Sequence, residues 1–151
     1  MLIKEFNSEE VSFVHHSLPD LSLKEIDTTF FIDNNFKVAV PIFVLASDDK
    51  IAYKLSEETN APVIVDGKDW INIYVNNRKD PLKIDFKKII FAKVKDGVEA
   101  AKAIRNSIIP IITEAQIKDL PLYITQLKIA MFLTNSKNIE ELKHAPIYLM
   151  G

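Results

Sequence analysis

The 151-residue chain carries 19 basic and 21 acidic side chains, a formal net charge of −2, with 48% apolar and 26% charged residues. This is the composition of a globular domain. It has neither the charge excess of a disordered chain nor the basic field that draws a protein to nucleic acid or anionic lipid. Without cysteine it has no disulfide, thiolate metal site or thiol nucleophile.

Arginine, the side chain best suited to bidentate phosphate or guanine recognition, occurs only as Arg78 and Arg105. Glycine is scarcer still: Gly67, Gly97 and Gly151. Loops that cradle phosphates need glycines so that backbone N–H groups can approach the anion, and no Gly-rich phosphate motif can be built from these three. The opening Met1-Leu2-Ile3-Lys4-Glu5 turns acidic at once, unlike a signal peptide, and the apolar runs stop well short of ~20 residues. The expected location is the cytosol, with no membrane span.

In chain order, residues 1–29 read as a mostly irregular arm with an extended start and a turn-forming stretch at Phe13 to Asp20 around Pro19. Thr28 to Val40 reads as a β-hairpin turning at Asp33-Asn34-Asn35. Pro41 to Ala46 is a continuous apolar run, as in a parallel strand buried on both faces. Ser47 is the expected cap of a helix striped by Ile51, Ala52 and Leu55 and ending near Asn60. Pro62 to Val65 and Trp70 to Val75 are the next strands, and Asn76 to Phe86 reads as loop. A second strand–helix unit runs from Lys88 to Ala92, then Asp96 and Glu99 as a capping box, with Val98, Ala101 and Ile104 as buried face. Ile108 to Ile112 is a further strand, placed at an edge or distorted because Pro110 lacks a donor. Asp119 is expected to cap a helix reaching Thr134. Its Leu127–Leu133 stretch is apolar almost all round, which predicts a helix wedged between surfaces. Asn138 and Glu141 cap a last short helix before Pro146. The whole chain reads as a single domain: arm and hairpin over 1–40, βα units over 41–117, helices over 118–151.

Candidate chemistry is sparse. His15 and His16 are adjacent and point apart more often than they chelate, and His144 at a helix end complements the dipole. Ser47, Thr113 and Thr134 have no His or Lys at motif spacing, so no nucleophile is expected. Asp48-Asp49, Asp66 and Asn76-Asn77 follow three strands expected to be parallel, and active sites form at such carboxyl ends. Helix caps and turn formers are the plainer reading of the same residues. Lys93 and Lys95, with Arg105, make a local basic spot near the helix start at Gly97. The ligand-site candidates are Asp48, Asp66, Asn76 and Lys93. No catalytic, cofactor-binding or metal residue is assigned.

Two blocks resemble the flavin-dependent type 2 isopentenyl diphosphate isomerases. Phe13 to Thr28 (FVHHSLPDLSLKEIDT) is similar to that family's "vhNaLPe…eIDts" segment. Leu127 to Pro146 (LKIAMFLTNSKNIEELKHAP) is similar to its C-terminal "KIAMFLTGaknieELkkaP". Asp96 to Ile104 (DGVEAAKAI) is a weaker third match, to "nGlDvAKAial". The resemblance implies a (β/α)₈ barrel with FMN and Mg²⁺. Such a barrel takes ~250 residues, so the expected fold is α/β, a shortened, incomplete TIM-barrel-like βα architecture without the middle strands.

The family's site elements are replaced. No Arg-Lys-x-x-His precedes Phe13. Met-Thr-Gly-Gly is Ala46-Ser47-Asp48-Asp49, Gly-Ser-Gln-Arg is Asp66-Gly67-Lys68-Asp69, and the flavin-phosphate Gly-Gly-Ile-Arg is Ala92-Lys93-Val94-Lys95. The His-x-Asn-x-x-Gln-Glu segment has no counterpart. What matches is scaffold, so no bound cofactor is expected. The expected function is a non-catalytic isomerase-like interaction subunit, self-associating or paired with a paralogue, because an open half-barrel leaves strand edges and apolar faces to cover. The alternative is a small-molecule-binding protein, or a residual isoprenoid-pathway isomerase, using the polar strand ends.

Overall fold

The computed structural model describes residues 2–33, 36–66, 70–76, 78–85 and 89–149. Its strands are β1 (Leu2–Glu5), β2 (Val11–Phe13), β3 (Phe30–Asp33), β4 (Phe36–Val38), β5 (Phe43–Leu45), β6 (Val63–Asp66), β7 (Trp70–Tyr74), β8 (Leu82–Asp85), β9 (Ile90–Lys93), β10 (Ile109–Thr113) and β11 (Ile147–Leu149). The helices are α1 (Asp49–Glu58), α2 (Gly97–Arg105), α3 (Leu120–Leu133) and α4 (Ile139–Lys143). The architecture is mixed α/β. Seven strands form one sheet in the order β1-β9-β10-β5-β6-β7-β8; β3-β4 and β11-β2 pair separately.

From β1 to β6 neighbours run parallel, whereas β7 is antiparallel to β6 and β8 antiparallel to β7. Side chains alternate across the sheet. Phe43, Ile64, Ile71, Ile73, Phe91 and Ile111 fall in one buried cluster, while Val44, Val63, Ala92 and Ile112 fall in the other. The sheet is curled. Asp85 and Ile90 are joined by a stretch that reaches at most about 18 Å when extended. In a flat sheet their strands, five positions apart in the order, would lie about 24 Å apart. The hairpin β3–β4 packs against the inner cluster, where the Phe30 ring meets Phe43 edge-on at 6.2 Å.

Several expectations change. The extended start of the arm is β1, paired along β9, and the arm adds one short strand that was not expected, β2, antiparallel to β11. Asn76 to Phe86 is not all loop, because Leu82–Asp85 forms β8. The cap of α1 is Asp48 rather than Ser47, its carboxylate accepting from the Ile51 N–H at 2.8 Å. Val98 is 41% exposed, and the buried side of α2 is Ala100, Ala101, Ala103 and Ile104. Pro110 sits in a central strand between β9 and β5. In a parallel ladder successive residues address opposite neighbours. The Val94 N–H donates to the Ile111 carbonyl, so Ile111 faces β9 and Pro110 faces β5. Pairing with β5 starts only at Ile111–Phe43, so the missing donor falls just before that ladder begins.

Asp119 makes no side-chain cap to α3; Thr113 and Gln116 form a capping box for the 3₁₀ turn ahead of it. The expected packing stripe of α3 holds at Leu120, Tyr123, Leu127, Ala130 and Met131, all buried, but Ile129 is 44% exposed, so the helix has an open side. Of Ile42, Val44, Val63, Val65, Ile71 and Ile73, which line the faces expected to need a partner's cover, all but the half-buried Val65 are fully buried within the chain. Gly67 to Asp69, Asn77, Phe86, Lys88 and the hairpin residues Asn34 and Asn35 lie outside the described residues.

Two Schellman ends terminate α2 and α3. Ser107 (φ 59°) and Asn135 (φ 56°) take the left-handed position, with Ile108 N–H bonded to the Ala103 carbonyl and Ser136 N–H to that of Met131. Gly97 is where α2 crosses α3, and a Cβ there would sit 2.0 Å from the Tyr123 carbonyl oxygen. Only glycine permits so close a crossing.

Candidate functional site

The carboxyl ends of the parallel strands open on one mouth of the curled sheet. Phe91 and Ile111 belong to the inner cluster, and a period of two puts Lys93 and Thr113 on that same face at the mouth. Glu5 is the register partner of Lys93, and Asp66 that of the inner residue Ile71, so both join them there. A cleft of about 510 Å³ opens between the ends of β10, β5 and β6, bordered by Leu45, Ser47, Asp66, Thr113 and Glu114. Its wall is held by backbone-directed bonds. The Glu114 carboxylate accepts from the Ser47 N–H at 2.6 Å, and Gln116 ties the end of β10 to that of β9 by donating to the Val94 carbonyl at 3.1 Å.

Of the residues singled out in the sequence, Asp66 and Lys93 stand at this mouth, with β10 and β5 between their strands. Asp48 lies at the same end, where it caps α1. Asn76 does not join them. Because β7 runs antiparallel, its end returns to the level of Val63, at the opposite end of the sheet. Asp49 is held by the neighbouring strand: the Tyr74 hydroxyl donates to it at 2.5 Å and the Asn72 amide at 3.3 Å. Burial, then the Asp49 carboxylate, raises the Tyr74 pKa to about 12.

Sequence reading missed Glu5 and Glu114. The Thr113-x-x-Gln116 spacing of a capping box was the available signal for the second.

The basic spot expected at Lys93, Lys95 and Arg105 is not assembled. Arg105 stands at the far end of α2, where its Nε donates to the Ala145 carbonyl at 2.5 Å. Lys95 lies 3.7 Å from the nearly buried Glu99 carboxylate. Three amides at the start of α2 already have side-chain acceptors. Gly97 N–H donates to Gln126 at 2.8 Å, Glu99 N–H to Asp96 at 2.7 Å, and Lys95 N–H to Glu99 at 3.1 Å. His15 and His16 are exposed in the arm, and His144 ends α4. Among the described residues no group of three His, Asp or Glu side chains could hold a metal ion, and no helix is long and apolar enough to cross a membrane.

The segments that carry the resemblance pack together. Val14 N–H donates to the Pro146 carbonyl at 3.0 Å, His16 N–H to Leu133 at 2.7 Å, and Asp27 N–H to Lys137 at 2.9 Å. Asp20 N–H donates to the Asn135 side chain at 3.0 Å. α2 packs on both α3 and α4. No family model matches the chain, and no curated protein does.

Proposed function

We propose that this chain is a shortened relative of the type 2 isopentenyl diphosphate isomerases that keeps their scaffold and works as a non-catalytic interaction subunit, self-associating or pairing with a paralogue. The observation that carries the reading is strand order. The parallel strands run β9-β10-β5-β6, so the later βα pair stands directly before the earlier one. That is the circular order of a barrel, in which the last strand closes on the first, with middle strands left out. The seam between 13–28 and 133–146 supports it, since the two most family-like segments form one packed unit despite their separation in sequence. Asn135, at the position of a family glycine, takes the left-handed conformation that glycine would adopt most easily.

The start of α2, where the resemblance puts the flavin phosphate, does not fit that group. Three of its amides are engaged by Gln126, Asp96 and Glu99, and the two carboxylates would repel a phosphate. The purified protein is therefore expected to be colourless. Self-association rests on the open side of α3, where Leu122 and Ile129 are 55% and 44% exposed and lie two turns apart on one face. Light scattering at micromolar concentration should give at least twice the 17.2 kDa chain mass, falling to one chain in Ile129→Asp with an unchanged circular dichroism spectrum. A wild-type mass of one chain, with no binding to a co-expressed full-length isomerase, would defeat the proposal.

A second reading, a small-molecule site at the mouth, is favoured by the shared inner face of Glu5, Lys93, Thr113 and Asp66 beside the 510 Å³ cleft. A thermal shift on adding a metabolite mixture, lost in Lys93→Ala, would favour it over the first.

A further inference from the structure

The end of the sheet opposite the mouth holds a second cleft, of about 420 Å³, between β4, the end of α1 and the turn after β7. Its floor is apolar: Val38 is buried, and Phe36 and Val75 are half-buried. Its rim is polar and basic, made of Lys37, Arg78, Asn60 and Asn76, all exposed. Among the described residues no acidic side chain lines it, in a chain whose net charge is −2. Outside the cleft, hydrogen bonds from Thr29 and then the charge of Lys37 hold the Asp27 carboxyl below its ordinary range, and Asp80 follows Arg78 by two residues.

Arg78 is placed rather than loose. Its N–H closes a turn on the Val75 carbonyl at 3.3 Å, and its Nε donates to the Asp80 carbonyl at 3.0 Å. That bond uses one of the guanidinium's five donors and fixes the plane of the fork. A planar fork and an ammonium over an apolar floor, with two amides beside them, match a ligand with an anionic head and an apolar body.

We propose that this cleft binds a small organic anion, its carboxylate or phosphate held by Arg78 and Lys37 and its apolar part seated on Phe36, Val38 and Val75. The site is independent of the mouth and of the isomerase reading.

The test is a titration of the ¹⁵N-labelled chain with phenyl phosphate, followed by amide chemical shifts, with inorganic phosphate and benzyl alcohol as separate arms. Phenyl phosphate should move the amides of Phe36 to Ala39, Asn60, Val75, Asn76 and Arg78 saturably, and bind several-fold more tightly than inorganic phosphate. Benzyl alcohol should not saturate. Arg78→Gln and Lys37→Gln should each weaken binding about ten-fold, the loss expected for one charge-assisted contact, with the rest of the spectrum unchanged. Shifts centred elsewhere, no saturable shift at millimolar ligand, equal affinity for inorganic phosphate, or undiminished affinity in both variants would each overturn the proposal.

Discussion

Replacing Gly97 by alanine tests the packing that holds the helical layer to the sheet. The added Cβ would lie 2.0 Å from the Tyr123 carbonyl oxygen, 2.6 Å from Gln126 Cβ and 2.7 Å from the Leu127 amide nitrogen. Two of these three are backbone atoms, which cannot turn aside as a side chain can. The α3 backbone must therefore retreat by more than an ångström, loosening the contact among Ala101, Ile104, Leu127 and Met131. Overpacking of this kind costs about 1–3 kcal/mol and more where backbone is struck. The hydrogen bond from Gly97 N–H to Gln126 adds about 1 kcal/mol if it breaks. Alanine's better helix propensity returns at most about 1 kcal/mol. The net expectation is a destabilisation of about 2–4 kcal/mol, or roughly 5–15 °C in Tm for a chain of this size. Urea denaturation with an unchanged m-value and calorimetry would both read it. An unchanged or higher Tm in Gly97→Ala would refute the close crossing of α2 and α3.

The two left-handed helix ends should respond differently to glycine. Ser107→Gly should stabilise by about 0.5–1 kcal/mol, because serine is strained at φ 59°. Asn135→Gly should bring no gain, since asparagine tolerates that region and its side chain receives the Asp20 N–H; equal stabilisation by both would contradict this. Tyr74 gives a pH prediction. Its folded pKa of about 12 lies above the ordinary value of 10.0, so the folded chain holds the phenolic proton more tightly. The resulting stability is complete below about pH 10 and is lost as pH rises toward about 12. The stability gap between wild type and Tyr74→Phe should narrow across that window, and a constant gap in denaturant titrations would count against the Tyr74–Asp49 bond.

What sequence determined by itself is local. The apolar runs Pro41 to Ala46 and Pro62 to Val65 became buried strands, and the run ending at Ala92 became β9, buried at Phe91 and Ala92, because each excludes water over a few consecutive side chains, whatever pairs with them. The caps Asp96 and Asn138 were legible for the same reason, as each bonds an amide three residues on. What only the tertiary structure decided is which distant strands pair, in which sense, and which helix face meets a neighbour. Nothing near Pro110 shows that its donor-free side faces the gap before β5 begins. Nothing near Val98 shows that α3 packs over Ala101 and Ile104 instead. The candidate site divides along the same line. Asp66 and Lys93 share a mouth because β6 and β9 run in the same sense, while Asn76 was lost from it when β7 reversed. The reversal of β7 was encoded locally, since only Gly67 to Asp69 separate it from β6 and a parallel neighbour needs a crossover of about a dozen residues, whereas the pairing of β9 and β10 with β5 depends on partners far along the chain.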